Sequence, residues 1–175
     1  MFKLDQELDK SFKSQIRLFF GDIRDFDRLN MAFAGIDIVF HCAALKHVYL
    51  SEYNPFETIK TNLNGVNNVI KAALYNKVSK VLFTSSDKAV NPTSTMGASK
   101  LIGERLFLAA NNYSGNNQTR FSCVRFGNIL NSNGSVLKIF KSQVKEGKYL
   151  SITSSKMSRF FITKEEAINL CLISC

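Results

Sequence analysis

The sequence predicts an α/β protein built on a doubly wound, mostly parallel sheet. Three observations carry that reading. Short apolar runs rich in strand-forming residues alternate with segments whose apolar residues recur at helical spacing, the pattern of parallel strands joined by right-handed crossovers. One run, Ile36 to Cys42 (IDIVFHC), is unbroken in its apolar character, as suits a strand covered on both faces. Polar loops follow the runs at 36–42, 80–84 and 119–126, and in an open α/β sheet ligands bind outside the carboxyl ends of the strands.

The chain has 175 residues, 45% of them hydrophobic, enough for one globular domain with a real core. Lysine and arginine number 23 against 14 acidic residues, a net charge of +9, which points to anionic partners. The basic residues are scattered, so an anionic small ligand accounts for them at least as well as nucleic acid, and no nucleic-acid partner is expected. Cys42, Cys123, Cys171 and Cys175 form no CxxC pair and read as reduced thiols of a cytosolic protein. His41 and His47 have no second cluster of ligands at zinc spacing, so no metal site is expected. No run approaches the roughly 20 apolar residues of a spanning helix. The start, MFKLDQELDK, is too charged for a signal peptide.

Met1 to Lys13 has the periodicity of an amphipathic helix. Ile16 to Phe20 (IRLFF) reads as a strand, ending in a loop where Asp22 either accepts from a nucleotide base or forms an Asx-type turn; spacing favours the turn. Asp25 caps a helix from Phe26 to Phe33. After the strand at 36–42 come the small residues Ala43 and Ala44, which let a ligand approach the backbone or simply pack under the next helix. Pro55 begins a long helix whose packing side carries Ile59, Leu63, Val66, Val69, Ile70 and Ala73. Its amides, among them Asn62, Asn64, Asn67 and Asn68, suit polar partners in a cleft for those on the inner face.

The central stretch is Ser85 to Lys100, SSDKAVNPTSTMGASK, which follows the strand Lys80 to Thr84. Asp87 and Lys88 fall in the loop at the sheet's mouth, and Ser94 or Thr95 caps the helix that carries Lys100 and Glu104. Thr119 to Phe126 is a further strand, followed by the polar loop 127–134. Ser135 to Glu146 reads as a helix stopped by Gly147, and Tyr149 to Thr153 and Ser158 to Ile162 as two short strands. Thr163 and Glu166 form a capping box for a last helix.

Four segments, HCAALKHV, TNLNGVNNVI, SSDKAVNPTSTMGASK and VRFGNILNSNGSV, together closely resemble the nucleotide-sugar 4,6-dehydratases, polysaccharide-biosynthesis enzymes of the extended short-chain dehydrogenase/reductase superfamily. The resemblance runs from about Ile16 to the C-terminus and implies a Rossmann-like core, NAD or NADP as cofactor, and a UDP-N-acetylhexosamine such as UDP-N-acetylglucosamine as substrate. In that family NAD(P) accepts a hydride from C4 of the sugar, water is lost across C5 and C6, and the hydride returns to C6. Loss of water beside a new ketone needs a base and an acid at short range. The resemblance makes Asp87 the acid and Lys88 the base, with Ser86 beside the C4 hydroxyl and Lys100 on the nicotinamide ribose. It further implies cofactor contacts from Asp22, Ile23, Cys42, Ala43, Ala44, Lys46, Thr61, Met96 and Ile129, and substrate contacts from Lys46, Asn128, Asn133 and Gly134. Helices at 55–74 and 95–112 would pair subunits into a homo-oligomer.

Two departures from the family pattern stand out. The superfamily's usual tyrosine four residues before the lysine is replaced by Met96, a thioether that cannot take a proton from the sugar; methionine here marks a subgroup of larger, membrane-anchored dehydratases. No glycine-rich turn precedes Ile16, so the first strand and the helix that would receive the pyrophosphate are absent, as is most of a C-terminal sugar-nucleotide domain. Residues 1–175 are therefore expected to be a partial dehydratase core that alone binds NAD(P) weakly. The alternatives are a nucleotide-sugar 4-epimerase or reductase, and a non-catalytic remnant or partner subunit.

Overall fold

The computed structural model describes residues 10–113, 115, 118–130, 132, 136–152 and 154–175. Its elements are α1 (Phe26–Phe33), β1 (Ile38–His41), α2 (Val48–Tyr53), α3 (Pro55–Ile59), a π turn (Lys60–Asn64), α4 (Gly65–Tyr75), β2 (Lys80–Ser86), a 3₁₀ turn (Asp87–Ala89), α5 (Thr95–Ala110), β3 (Arg120–Phe126), β4 (Asn128–Ile129), α6 (Val136–Lys145), β5 (Phe161–Ile162) and α7 (Lys164–Ile173). Strands β1, β2 and β3 form a parallel sheet in that order, and β4 pairs with β5 in a second parallel ribbon.

The central strand β2 is covered on both sides because both its faces are apolar. Val81 and Phe83 pack with Val66, Val69 and Ile70 of α4, Phe107 of α5 and Phe121 of β3. Leu82 packs the other way, with Val124, Phe126 and Ala167 of α7. Helix ends are set by side chains: Asp25 accepts from the Arg28 amide, Ser94 from the Gly97 amide, and Thr163 and Glu166 close the expected capping box. Gly147 follows α6 with φ +66°, a left-handed conformation in which a Cβ would be strained.

Several elements differ from the sequence reading. Ile16 to Phe20 is not a strand: a strand exists through its ladder, and no described strand lies beside it, while Phe19 and Phe20 stay exposed and Arg28 donates to the Phe20 carbonyl. β1 is shorter than 36–42 and is not covered on both faces, since Ile38 and Phe40 are 45% and 42% exposed. Residues 149–152 form no strand; the Ser151 amide donates instead to the Gln143 carboxamide of α6. The strand read at 158–162 reduces to Phe161–Ile162. Of the helix read at 1–13, residues 1–9 lie outside the described residues, and Lys10–Gln15 is a 3₁₀ helix. Thr153 and Ser135 also lie outside them.

The long helix from Pro55 is interrupted by the π turn, and the amides explain where. Buried Asn62 accepts from the Leu45 amide (2.8 Å) and donates to the Leu45 carbonyl (3.1 Å) and to Ser99 Oγ (2.9 Å), pinning the loop after β1 to both helices. A widened turn directs that side chain inward without breaking the helix. Asn68 likewise donates to the Ile23 and Arg24 carbonyls. No helix among the described residues is long and apolar enough to cross a membrane.

His41 is the one ionisable ring in this core. It is 4% exposed, stacks on Phe83 and Phe107, and its Nε2 has no hydrogen-bond partner. Burial, with the Lys100 charge nearby, pushes its pKa down from 6.5 to about 4. Between those values the unfolded chain takes up a proton that the folded chain does not, so stability falls as pH drops through that window. His41→Phe removes the titrating group while keeping the stack. Urea midpoints at several pH values from neutral to acid should fall in the native chain and be markedly flatter in the variant.

Candidate active site

A cavity of about 630 Å³ opens at the carboxyl ends of all three strands. Cys42 and Ala44 reach it from β1, Thr84, Ser85, Ser86 and Lys88 from β2, Phe126 to Leu130 from β3 and β4, and Met96 and Lys100 from α5. α6 and α7 supply the far wall through Val136, Leu137, Lys164, Ala167, Ile168 and Cys171.

The chemistry-bearing groups sit along one rim. β2 runs straight into the 3₁₀ turn, so Ser86, Asp87 and Lys88 leave the sheet in succession. Lys88 Nζ donates to Asp87 Oδ1 at 3.0 Å and to Asn128 Oδ1 at 3.2 Å, while Ser86 Oγ donates to Asp87 Oδ1 at 3.0 Å. Asp87 itself does not line the cavity; its carboxylate is bonded to Ser86 and Lys88, which do. Partial burial pushes the Asp87 carboxyl up, but the hydrogen bonds from Lys88 and Ser86 outweigh it and hold the group below the usual carboxylate range. Gly97, in the first turn of α5, allows this rim to close, because a Cβ there would collide with the Lys88 carbonyl.

Lys100 lies deeper. It is 7% exposed, its Nζ donates to the Thr84 carbonyl at 2.8 Å, and the ammonium stands 4.5 Å from the centroid of the Phe83 ring. Burial pushes its pKa down from 10.5 to about 8, against the raising influence of Cys42, Glu104 and Cys123. Met96 is 3% exposed on the same helix face, its carbonyl accepting from Ser99 Oγ.

The structure gathers Cys42, Ala44, Lys46, Ser86, Lys88, Met96, Lys100, Asn128 and Ile129 at one cavity, and leaves Ala43 and Thr61 off its wall. Asp22 and Ile23 are also away from it. The Asp22 carboxylate accepts from the Arg24 amide and from its guanidinium, the Asx-type turn that spacing favours, and Ile23 packs over Gly65. Asn133 and Gly134 lie outside the described residues. Sequence reading missed the α7 wall. Lys164 follows the Thr163 cap directly, so the capping box places an ammonium at the rim, and Ala167, Ile168 and Cys171 recur at helical spacing behind it.

A parallel α/β sheet with a ligand cavity at its strand ends, a serine, carboxylate and lysine on the rim and a buried lysine beneath defines a class of dinucleotide-fold proteins. Within that class the chain belongs to the polysaccharide biosynthesis protein family, whose sequence profile matches residues 1–175. It is 48% identical over 168 residues to an inverting UDP-N-acetylglucosamine 4,6-dehydratase of Campylobacter jejuni, covering 95% of this chain and 50% of that protein. It is 50% identical to a protein of Methanocaldococcus jannaschii described as an uncharacterized membrane protein, over 100% of this chain and 52% of the relative. The crystal structure of Pen from Bacillus thuringiensis superposes with a TM-score of 0.92 at 46% identity, covering 98% of this chain and 53% of that one. The chain thus spans about half the length of the relatives it matches.

Burial of the Lys100 ammonium makes stability depend on pH. Above about 8 the folded chain gives up the Lys100 proton, whereas the unfolded chain holds it to about 10.5, so this group makes stability rise with pH across that interval. Comparing the pH dependence of unfolding in the native chain and in Lys100→Met isolates the effect: the variant should lack that rise.

Proposed function

We propose that the chain carries the reaction centre of a nucleotide-sugar 4,6-dehydratase acting on a UDP-N-acetylhexosamine, with UDP-N-acetylglucosamine the first substrate to try. The observation that carries this reading is the cluster of Ser86, Asp87, Lys88 and Asn128, joined by hydrogen bonds of 3.0–3.2 Å, whose members Ser86, Lys88 and Asn128 line the same cavity as Lys100. The likeness to the Campylobacter dehydratase supports it.

The residues present suit the nicotinamide half of NAD or NADP. The Thr84 carbonyl takes one of the three ammonium donors of Lys100, leaving others for ribose hydroxyls. Cys42, Ala44 and Met96 offer a narrow, mostly apolar wall beside it. When bound, that cofactor supplies an acceptor and donor for hydride at C4 and C6 of the sugar. Asp22 and Ile23 would flank the adenine of the cofactor, the Ala43 backbone and Thr61 would lie along the dinucleotide, and Lys46 between cofactor and sugar.

The protons are handled by the chain. Ser86 Oγ, already bonded to Asp87 Oδ1, relays the C4 hydroxyl proton to that carboxylate as the ketone forms. Lys88, at the rim, releases a proton to solvent and becomes the base. It then takes the C5 proton while Asp87 gives its own to the departing C6 hydroxyl, which leaves as water. Lys88 returns a proton to C5 as C6 is reduced, and one proton regained from solvent restores the starting pair. Filling of the cavity by the sugar removes water and weakens the preference for the charged pair, which favours the neutral carboxylic acid that elimination needs. Asn128 would bear on the sugar and hold the Lys88 ammonium between turnovers; Asn133 and Gly134 would complete that side, and Ile129 would meet the cofactor. Exposed Phe56, Ile102 and Leu108 on α3 and α5 would serve a homo-oligomeric contact.

Asp87→Asn should separate elimination from oxidation. Incubate the chain with NAD+ and UDP-N-acetylglucosamine, alone and with the amino-terminal part of the Campylobacter relative supplied in trans. The native chain should give a product lighter by one water, and the variant should lose that product by at least ~100-fold, while nicotinamide reduction is slowed but persists because the C4 hydroxyl proton can still pass from Ser86 to water. A product of unchanged mass inverted at C4 would make the protein an epimerase. No change in sugar or nicotinamide absorbance would make it a non-catalytic partner.

A further inference from the structure

Lys100 poses a physical problem that its own contacts do not solve. An ammonium 7% exposed, with a carbonyl and an aromatic face for company, sheds its proton unless a negative charge stands near. One helical turn further along α5, on the same face, is Glu104, itself only 5% exposed. Arg125 of β3 clamps its carboxylate with two hydrogen bonds, Nε to Oε1 at 2.8 Å and Nη2 to Oε2 at 2.6 Å. Arg125 lies opposite Ser85 in the β2–β3 ladder, so the clamp fixes α5 to β3 directly beside the end of β2, which runs on into Ser86, Asp87 and Lys88.

We propose that Glu104 is a positioning residue: ionised and locked by Arg125, it keeps the Lys100 ammonium charged and seated beneath the cavity. The inference deepens the dehydratase reading, on which the ribose role of Lys100 rests, but the charge state of Lys100 can be measured without it.

The groups around the pair are few. Lys100 is faced by His41 and Cys42 from β1 and its end, by Cys123 from β3 and by Glu104. His41 is neutral above about 4, and burial pushes the Cys123 thiol up to about 12, so neither supplies a counter-charge near neutral pH. Glu104 is faced by Arg125 and Cys123 from β3, by the Ser85 hydroxyl from β2, and by Arg105 on its own helix. Burial pushes its carboxyl up, but the Arg125 bonds outweigh that and hold it below its ordinary value.

This arrangement makes two substitutions act in opposite directions. Glu104→Gln withdraws the counter-charge and should lower the pH at which Lys100 loses its proton. Arg125→Gln removes a competing cation; Lys100 titrates far above the carboxylate range, so Glu104 is still ionised there without its clamp, and that pH should rise. The readout is the pH dependence of acetic anhydride labelling at Lys100 in the full chain, followed by peptide mass spectrometry and normalised to an exposed lysine. Shifts of about one pH unit, a tenfold change in the unprotonated fraction, are expected, down for Glu104→Gln and up for Arg125→Gln. Circular dichroism checks folding of both variants, since Arg125→Gln leaves a buried carboxylate without its partner, and either variant that folds decides. Midpoints that stay put, or move together, overturn the proposal, because a purely structural clamp would leave Lys100 titrating as before. Opposite shifts in a chain that never dehydrates a sugar would uphold this inference and refute the dehydratase reading.

Discussion

The site depends on one burial: the Lys100 ammonium placed under the sheet's carboxyl edge, on the Thr84 carbonyl and over the Phe83 ring. Removing a charge from water costs several kcal/mol in a protein interior after relaxation, so the surroundings must be built to receive it. They are. β2 presents Thr84 at its end, α5 is anchored there by the Ser94 cap and the Glu104–Arg125 clamp, and Asn62 ties the loop after β1 to Ser99, one residue before the lysine. The same elements that seat the lysine therefore form the mouth of the cavity.

What the sequence discloses is mostly what local chemistry decides. The caps at Asp25, Ser94 and Thr163 follow from residue types whose side chains reach an amide two or three positions on, and each is present. The strands at 80–86 and 120–126 follow from apolar runs that do pair in the sheet. Ile16 to Phe20 has the same composition as those runs, but a strand also needs a neighbour, which is a property of the surrounding chain and not of the run itself. The apolar span at 36–42 misleads for a related reason: hydrophobicity shows what a face would prefer, and Ile38 and Phe40 remain 45% and 42% exposed.

The site was legible where it is contiguous. Ser86, Asp87, Lys88, Met96 and Lys100 are read from a single stretch, and the structure brings Ser86, Lys88, Met96 and Lys100 to one cavity with Asp87 bonded just behind. Asn128 is drawn in from 40 residues away by its bond to Lys88. Lys164 and the α7 wall were not legible, because nothing in TKEEAINLC distinguishes an ordinary capped helix from one that closes a pocket; only packing of Ala167 against Leu82 and Val124 brings it there. Asp22 shows the converse, a carboxylate whose plain turn chemistry with Arg24 is what the structure displays.

The central claim is that the Lys88 ammonium and Asp87 carboxyl meet the hexose. A structure of the protein with NAD+ and UDP-N-acetylglucosamine bound tests it most directly. The account places C5 of the sugar about 3–3.5 Å from Lys88 Nζ, with the C6 hydroxyl within hydrogen-bond reach of Asp87. A hexose seated elsewhere in the cavity, with Asp87 and Lys88 still paired to each other and touching no sugar atom, would contradict it.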